Sequence, residues 1–152
     1  MFKFTSKKDL HSFCEGEFLP IEKVDDPVFS GKMMGDGFAV EPSSGDIYAP
    51  IDGEITVVFP TLHAYGIKTK KNIEVLLHLG INTVELNGKG FNAFVKVKDK
   101  VKQGDLIAKM DLEEIKKNNF PCTSMCIITS GEKISLVDFD NNVTKNTIIA
   151  TL

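Results

Sequence analysis

Two histidines, His63 and His78, stand at a spacing that can bring their imidazole rings together. Residues 62–68 and 73–79 both have the apolar pattern of strands, and the polar residues 69–72 between them are typical of a turn. A symmetric loop pairs His63 with His78 across the hairpin. Directly opposed residues of an antiparallel pair project from the same face, with Cβ atoms about 4.5–5.5 Å apart. The spacing therefore predicts two neighbouring imidazoles on one β-hairpin.

The chemistry open to such a pair is limited. Imidazole has an ordinary pKa of about 6.5, so much of it is neutral at pH 7 and carries a nucleophilic lone pair. One ring can attack while the other donates a hydrogen bond to the resulting anion, and Thr61 can add a hydroxyl donor. The carbonyl of Gly80 is expected to fix which nitrogen of His78 carries the proton. Two imidazoles can also hold zinc, but only with a third or fourth ligand.

The strand around His78 indicates a surface that another protein covers. His78 shares a face with Leu76, whereas Val75, Leu77 and Leu79 alternate toward the core. An imidazole on an apolar face that no element of the chain obviously covers indicates a docking surface. From the residues alone, phosphoryl or other group transfer, a metal site and a purely structural histidine pair all stay open.

The elements that must position these residues are mostly strands. The chain has 152 residues, 42% of them hydrophobic, which suits a single domain spanning residues 1–152. Residues 112–117, after Asp111 as N-cap, are the one segment that predicts a helix. Short runs rich in Val, Ile and Phe recur between turn residues and predict an all-β sandwich or barrel with one or two short helical turns. The clearest runs are residues 53–59, 73–78, 91–97 and 133–137.

Two sequence echoes suggest an internal duplication. Residues 14–18 resemble residues 51–55, and residues 101–108 resemble residues 143–150. A duplicated β unit whose halves pack face to face would produce both echoes. The alternative is that turn-then-strand patterns recur by chance in any β protein.

Composition excludes several classes of protein. A net charge of −3 offers no basic footprint for nucleic acid and no polybasic segment for a membrane. The N-terminus lacks the apolar region of a secretory signal, and no apolar run approaches the roughly 18 residues of a membrane span. Cys14, Cys122 and Cys126 form no C-x-x-C pair, which favours free thiols in a reducing cytoplasm. We expect a free-standing, monomeric, cytoplasmic protein.

Specific motifs resemble a known family. Residues 61–67 and 75–86 closely resemble the signature of the glucose-type enzyme IIA domain of the bacterial phosphoenolpyruvate-dependent sugar phosphotransferase system. The resemblance runs from about Glu15 to the C-terminus and implies an antiparallel β-sandwich built from a duplicated β motif. It leaves residues 1–13 weakly supported, so we expect a flexible or weakly ordered N-terminal segment. Residues 25–30, 33–40 and 49–53 also match the family.

The resemblance implies a role for each central residue. His78 is expected to accept a phosphoryl group through Nε2 from the phosphohistidine of the carrier HPr and to pass it to a cysteine of an enzyme IIB domain. His63 and Thr61 are expected to hydrogen-bond the phosphoryl oxygens, with Gly80 as a backbone orienter. The mechanism needs no metal and no organic cofactor.

The resemblance also implies a partner surface around the histidines. Asp26 and Glu85 are the acids at its edge and would meet basic residues on HPr. For any one apolar member, core packing under a loop is the alternative reading. The apolar members are Val28, Phe29, Met33, Met34, Phe59, Leu76 and Val84. Asn82 stands where the family usually has an aspartate, so the resemblance implies no charged contact to the donor at this position.

Three other functions are alternatives to the phosphocarrier. A metallohydrolase on a related duplicated β fold would need an H-x-H pair with a further His and Asp, which the sequence lacks. A regulatory binding module would not need both histidines, although regulation by docking can coexist with transfer. A biotinyl or lipoyl carrier would need a modified lysine in a tight hairpin, and Lys109 is only a faint match.

Overall fold

The fold is known from a computed structural model that describes residues 9–152. Within that range the elements are mostly short strands, which confirms the predicted all-β class. The strands are β1 (Asp9–His11), β2 (Gly16–Pro20), β3 (Asp36–Pro42), β4 (Asp46–Tyr48), β5 (Gly53–Val58), β6 (Ala64–Lys68), β7 (Glu74–His78), β8 (Phe91–Ala93), β9 (Lys100–Val101), β10 (Leu106–Met110), β11 (Ser124–Ile128), β12 (Ser135–Leu136), β13 (Asn142–Val143) and β14 (Ile148–Thr151). The helices are α1 (Pro27–Ser30) and α2 (Leu112–Lys117), with 3-10 turns at Ile21–Lys23 and Thr83–Leu86.

The strands form one large and two small antiparallel sheets. The large sheet has the order β13-β2-β3-β11-β7-β6-β5-β9, and the small ones have the orders β1-β14-β12 and β4-β10-β8. The main apolar cluster draws buried residues from all three sheets. A second cluster lies on the outer face of the large sheet, where alternate residues of β11 such as Met125 and Ile127 meet Phe29. The middle of the large sheet is therefore buried on both faces.

The sheet orders are those of a duplicated unit, as the echoes predicted. The large sheet consists of two equivalent halves, each counted from its own edge. The strands β13, β2, β3 and β11 of one half correspond in order to β9, β5, β6 and β7 of the other. In the outermost pairs Gly16 lies opposite Val143, and Gly53 lies opposite Val101. These are the positions that the two echoes align. The duplication is thus visible in both the sequence and the strand pairing.

The histidine hairpin has a different register from the predicted one. Ala64, not His63, lies opposite His78, so the predicted pairing is wrong by one residue. The cause is a loop with an odd number of residues: the Thr69 N–H donates to the Ile73 carbonyl at 2.9 Å around residues 70–72. A three-residue hairpin loop needs a left-handed residue, and Asn72 supplies it with φ 65°.

Elsewhere the predicted elements are right in kind but differ in length. Helix α2 is confirmed, with the Asp111 carboxylate accepting the Glu114 N–H at 3.1 Å. The predicted strand 91–97 ends at Ala93. Beyond it, the chain turns where the Asp99 carboxylate accepts the Lys96 N–H. The run 133–137 yields only the two-residue strand β12.

The N-terminal prediction is corrected for the residues that can be described. Residues 1–8 of the predicted weakly ordered segment lie outside the described residues. Residues 9–11 instead form β1, which pairs with β14, and Leu10 and Phe13 are fully buried. Backbone hydrogen bonds and apolar burial hold this part of the chain in the fold.

The three cysteines are free, as predicted. Cys14, Cys122 and Cys126 are all buried and form no disulfide. Burial raises the pKa of the Cys14 and Cys126 thiols well above the ordinary value, so both are protonated at neutral pH.

Candidate functional site

The rings of His63 and His78 meet even though the two residues are not directly opposed. Their centroids are 5.0 Å apart with an interplanar angle of 82°, in an edge-to-face arrangement. His63 lies just before β6, after a bend at Leu62, whose φ of 61° is left-handed. Its carbonyl accepts the Leu79 N–H at 2.7 Å, which continues the hairpin ladder past the end of the strands. The bend and this bond bring the predicted pair together.

The hydrogen bond of His78 fixes its tautomer. Nδ1 lies 2.9 Å from the carbonyl oxygen of Gly80. Because a carbonyl oxygen can only accept, Nδ1 carries the proton in the neutral ring. The lone pair of His78 is then on Nε2. The Gly80 contact predicted from the sequence is present, and it leaves the unprotonated nitrogen of the neutral ring at Nε2.

Two polar side chains that sequence reasoning missed hold the Gly80 backbone. The Gly80 N–H donates to the Ser124 hydroxyl at 3.2 Å, and the Thr83 hydroxyl donates to the carbonyl of Leu79. Gly80 itself has φ 80°, and a Cβ added there would lie 2.4 Å from Cγ2 of Thr83. No sequence motif marks Ser124, because it reaches the site through strand pairing 44 residues further along the chain.

Thr61 contacts His63 directly. Its Oγ1 is 2.7 Å from Nδ1 of His63. When the hydroxyl donates in this bond, the proton of the neutral His63 ring is on Nε2, which then serves as a donor. The family resemblance implied that the Thr61 hydroxyl would hydrogen-bond the phosphoryl oxygens. In the structure that hydroxyl instead contacts the His63 ring.

Burial keeps both imidazoles neutral at pH 7. Desolvation, and to a smaller extent the nearby His63 ring, lower the pKa of His78 to about 4. The Gly80 carbonyl and the Asp26 carboxylate act in the opposite direction with smaller effect. Desolvation also lowers the pKa of His63, which is only 4% exposed. Each ring therefore keeps one unprotonated nitrogen at neutral pH.

Two phenylalanine rings pack against the histidines. The Phe29 centroid is 4.9 Å from that of His78, and the Phe59 centroid is 5.4 Å from that of His63. Phe59 is exposed, as a partner-surface residue should be. Phe29 is only 6% exposed, so it covers the His78 ring inside the protein and offers little area to a partner.

The remaining predicted surface residues come from three segments of the chain. Asp26 caps helix α1, accepting the Val28 N–H at 3.0 Å, and Glu85 lies in the 3-10 turn after the Gly80 bend. Leu76 is half-buried against the second apolar cluster, so it too offers a partner less than expected. The exposed apolar members are Val28, Met33, Met34, Phe59 and Val84.

Among residues 9–152, no group of three or more His, Cys, Asp or Glu side chains is arranged to hold a metal ion. None of the helices in that range has the length and apolar character needed to cross a bilayer.

Comparisons with known proteins agree with this geometry. Residues 8–134 match the family described as phosphoenolpyruvate-dependent sugar phosphotransferase system, EIIA 1. The chain belongs to this family. A glucose-specific EIIA component from Staphylococcus epidermidis is 41% identical over 126 residues, which cover 83% of this chain and 76% of that protein. The chain is accordingly a phosphotransferase-system component with a phosphocarrier role in sugar uptake.

Two further comparisons concern a longer relative and a solved structure. The glucose-specific EIICBA component of Streptococcus pneumoniae is 41% identical over 133 residues, which cover 88% of this chain but only 18% of that protein. The chain therefore spans about a fifth of that relative. The glucose permease IIA structure from Mycoplasma capricolum superposes with a TM-score of 0.91 at 36% identity, covering 99% of each chain. This similarity confirms the β-sandwich fold.

Proposed function

We propose that His78 accepts a phosphoryl group on Nε2 from the phosphohistidine of HPr. It then passes the group to a cysteine on the enzyme IIB domain of a sugar transporter, with glucose as the class of sugar. The observation that supports this most directly is the bond from His78 Nδ1 to the Gly80 carbonyl, because it leaves the Nε2 lone pair free. The ring of His63 packs edge-to-face against that of His78, so in this proposal it supplies a hydrogen-bond donor near the acceptor nitrogen.

The chemical step needs no proton transfer at the attacking nitrogen. The Nε2 lone pair forms a bond to phosphorus, the phosphorus–nitrogen bond in the donor breaks, and the electron pair returns to the donor imidazole. In the second transfer a thiolate of the acceptor forms a phosphorus–sulfur bond while the bond to Nε2 breaks. Such transfers depend mainly on positioning and on stabilising charge at the phosphoryl oxygens.

His63 supplies part of that stabilisation in this proposal. Its Nδ1 is engaged by the Thr61 hydroxyl, so Nε2 can donate to a phosphoryl oxygen on His78. Thr61 then acts through His63 and is a positioning residue. The Gly80 carbonyl plays the matching part for His78, since it can share the positive charge that develops on the phosphorylated ring.

Both partners must reach the same nitrogen, so they use the same face in turn. The Asp26 carboxylate, which is near enough to His78 to raise its pKa, and the exposed Glu85 would attract a basic partner, mainly raising the rate of encounter. The exposed Met33 and Met34 suit a surface that must receive two different partners. We expect the protein to work as a monomer in the cytoplasm, with no metal or organic cofactor.

Phosphorylation in vitro tests the assignment. The protein is incubated with labelled phosphoenolpyruvate, enzyme I and HPr, and an acid-labile, base-stable label is measured. We expect His78→Gln to abolish the label, whereas His63→Gln still accepts it but passes it poorly to enzyme IIB. The third histidine, His11, lies on β1, and His11→Gln is the matched control that keeps full labelling. Label that survives in the His78 variant would overturn the proposal.

A further inference from the structure

A cavity of about 420 Å³ lies at the end of the large sheet formed by β5, β6 and β9. Its lining includes Lys68 and Lys70 from the histidine hairpin, and Lys100 and Lys102 from the β9 segment. The two lysine pairs are distant in sequence, and the protein has a net charge of −3, so neither the local sequence nor the overall charge indicates this cluster. Strand pairing brings four lysines to the wall of one cavity.

Most of this positive charge is not neutralised by neighbouring carboxylates. Lys100 is 3.9 Å from a carboxylate oxygen of Glu54, and its side chain remains 85% exposed. Among residues 9–152, the other three lysines form no ion pair, while Asp52 accepts the Gln103 N–H at 2.7 Å. The lining thus contains four lysines and two acids, and one of these acids, Asp52, already accepts a backbone N–H. Mutual repulsion of the ammonium groups favours an anion among them.

The duplicated fold provides an internal reference for this cavity. At the opposite end of the large sheet a cavity of about 390 Å³ lies at the equivalent position, where Gly16 pairs with Val143 as Gly53 pairs with Val101. Its lining has Glu15, Glu17 and Glu41 and contains no lysine. The same backbone arrangement therefore carries opposite charge at its two ends, and the lysines are not a requirement of the fold.

The lysine cavity is separate from the histidine site. Lys68 ends β6 and His63 precedes its start, five residues away, which corresponds to roughly 17 Å along a strand. A small ligand in the cavity would not contact His78. Changes to the lysines should consequently leave phosphoryl acceptance intact.

We propose that this cavity binds phosphate-bearing anions. A phosphate ester carries up to two negative charges and several acceptor oxygens, and lysine ammonium groups recognise it as point charges. The volume admits a small organic phosphate or the headgroup of an anionic phospholipid. These two sources share the chemistry that the lysines recognise, and they differ in whether a membrane is needed.

The first arm of the test uses inorganic pyrophosphate as the soluble probe. Backbone amide shifts of the full chain are followed by NMR during the titration. We expect saturable shifts centred on Gly53, Lys68 and Lys102 and none around the acidic cavity at Gly16. The second arm measures cosedimentation with phosphatidylglycerol vesicles against phosphatidylcholine vesicles.

Matched charge variants decide the outcome of both arms. Replacing Lys68, Lys70, Lys100 and Lys102 by Gln should weaken the binding about tenfold or more. The control replaces four other exposed lysines by Gln and should keep it, and both variants should accept phosphate on His78 at the wild-type rate. The control positions are Lys23, Lys116, Lys117 and Lys133.

Each result has one reading. Pyrophosphate binding that the cavity variant loses and the control keeps supports a soluble ligand. Binding to phosphatidylglycerol vesicles that shows the same loss, without pyrophosphate binding, supports a lipid headgroup. No binding in either arm, binding that the cavity variant keeps, or equal loss in both variants would overturn the proposal. Because acceptance on His78 is measured separately, failure here is distinguishable from failure of the proposed function.

Discussion

The two halves of the large sheet differ most in one connection, which leads from β2 to β3 in the first half and from β5 to β6 in the second. Between β2 and β3 the chain runs through residues 21–35, whereas the equivalent connection between β5 and β6 is only residues 59–63. The long connection lays Ile21, Val24 and Phe29 over the outer face as the second apolar cluster. The short connection covers little and instead carries His63. One copy of the unit thus provides a cover, and the other provides an open site.

The two central strands show the same divergence residue by residue. In the pairing of β7 with β11, Leu76 lies opposite Ile127 and His78 lies opposite Met125. Because β7 and β11 occupy equivalent places in the two halves, the pair of His78 with Met125 corresponds to the pair of Ile127 with Leu76. Ile127 is thus the counterpart of His78. Ile127 is fully buried in the apolar cluster, whereas His78 is only half-buried at its border. The site therefore combines the burial that keeps an imidazole neutral with the exposure that a partner needs.

The largest expected effect that distinguishes the halves is at the glycine after β7. Gly80→Ala should lower the free energy of unfolding by about 2–4 kcal/mol, because φ is 80° and the new Cβ would meet Thr83. It should also slow labelling of His78 about 100-fold as the carbonyl at Nδ1 is displaced. Urea unfolding and the rate of phosphoryl acceptance measure the two effects.

The matched control lies after β11 in the other half. Gly131 has φ 103°, but a Cβ added there meets nothing within 4 Å. Gly131→Ala should cost about 1 kcal/mol and leave the labelling rate unchanged. Equal rate losses in the two variants would show that the Gly80 carbonyl has no special part in the site.

A smaller effect is expected from the hydroxyl that orients His63. Thr61→Val keeps the shape of the side chain but removes the bond to Nδ1, so the ring loses its preferred tautomer. Transfer to enzyme IIB should slow about tenfold, which corresponds to the loss of one hydrogen bond of about 1.4 kcal/mol. Thr129→Val, just after β11, is the control and should transfer normally. An unchanged transfer rate in the Thr61 variant would show that the bond from Thr61 does not orient His63 for transfer.

The pKa of His78 makes stability depend on pH. Burial lowers it to about 4 in the folded chain, against about 6.5 in the unfolded chain. Between those values the unfolded chain binds more protons, so the free energy of unfolding should fall as the pH drops from 6.5 to 4 and be constant above that window with respect to this group. Urea unfolding at pH 7.5 and 5.0 should show a larger difference for wild type than for His78→Gln. The same difference in both proteins would mean that His78 is not desolvated.

The sequence was sufficient to predict the broad fold and the proximity of the His63 and His78 rings. Repeated strand patterns and the echoes at residues 14–18 and 51–55 predicted the duplicated sandwich, because alternation and turn chemistry are local properties of the sequence. The register of the histidine hairpin was not predictable in the same way. It depended on whether Asn72 adopts a left-handed conformation, and one residue shifts every pairing.

The surroundings of the histidines were harder to predict, because long-range packing decides them. Phe29 reads as an exposed member of an apolar rim, but the connection that carries it folds back onto the His78 ring. Ser124 joins the site only through the pairing of β7 with β11. The lysine cavity likewise results from the meeting of β9 with β5 and β6, which no local pattern contains.

The smallest expected effect concerns the exposed apolar surface itself. Val84, in the 3-10 turn after Gly80, is 49% exposed, and Val97, in the turn before β9, is 47% exposed. A partner that covers the histidines would bury Val84, so Val84→Ser should slow phosphoryl transfer about threefold through lost apolar burial. Val97→Ser should have no effect on transfer, and each change should alter stability by no more than about 0.5 kcal/mol. If the two variants transfer at the same rate, the partner surface does not extend to the turn at Val84, and contact is limited to the side of the site formed by α1 and Phe59.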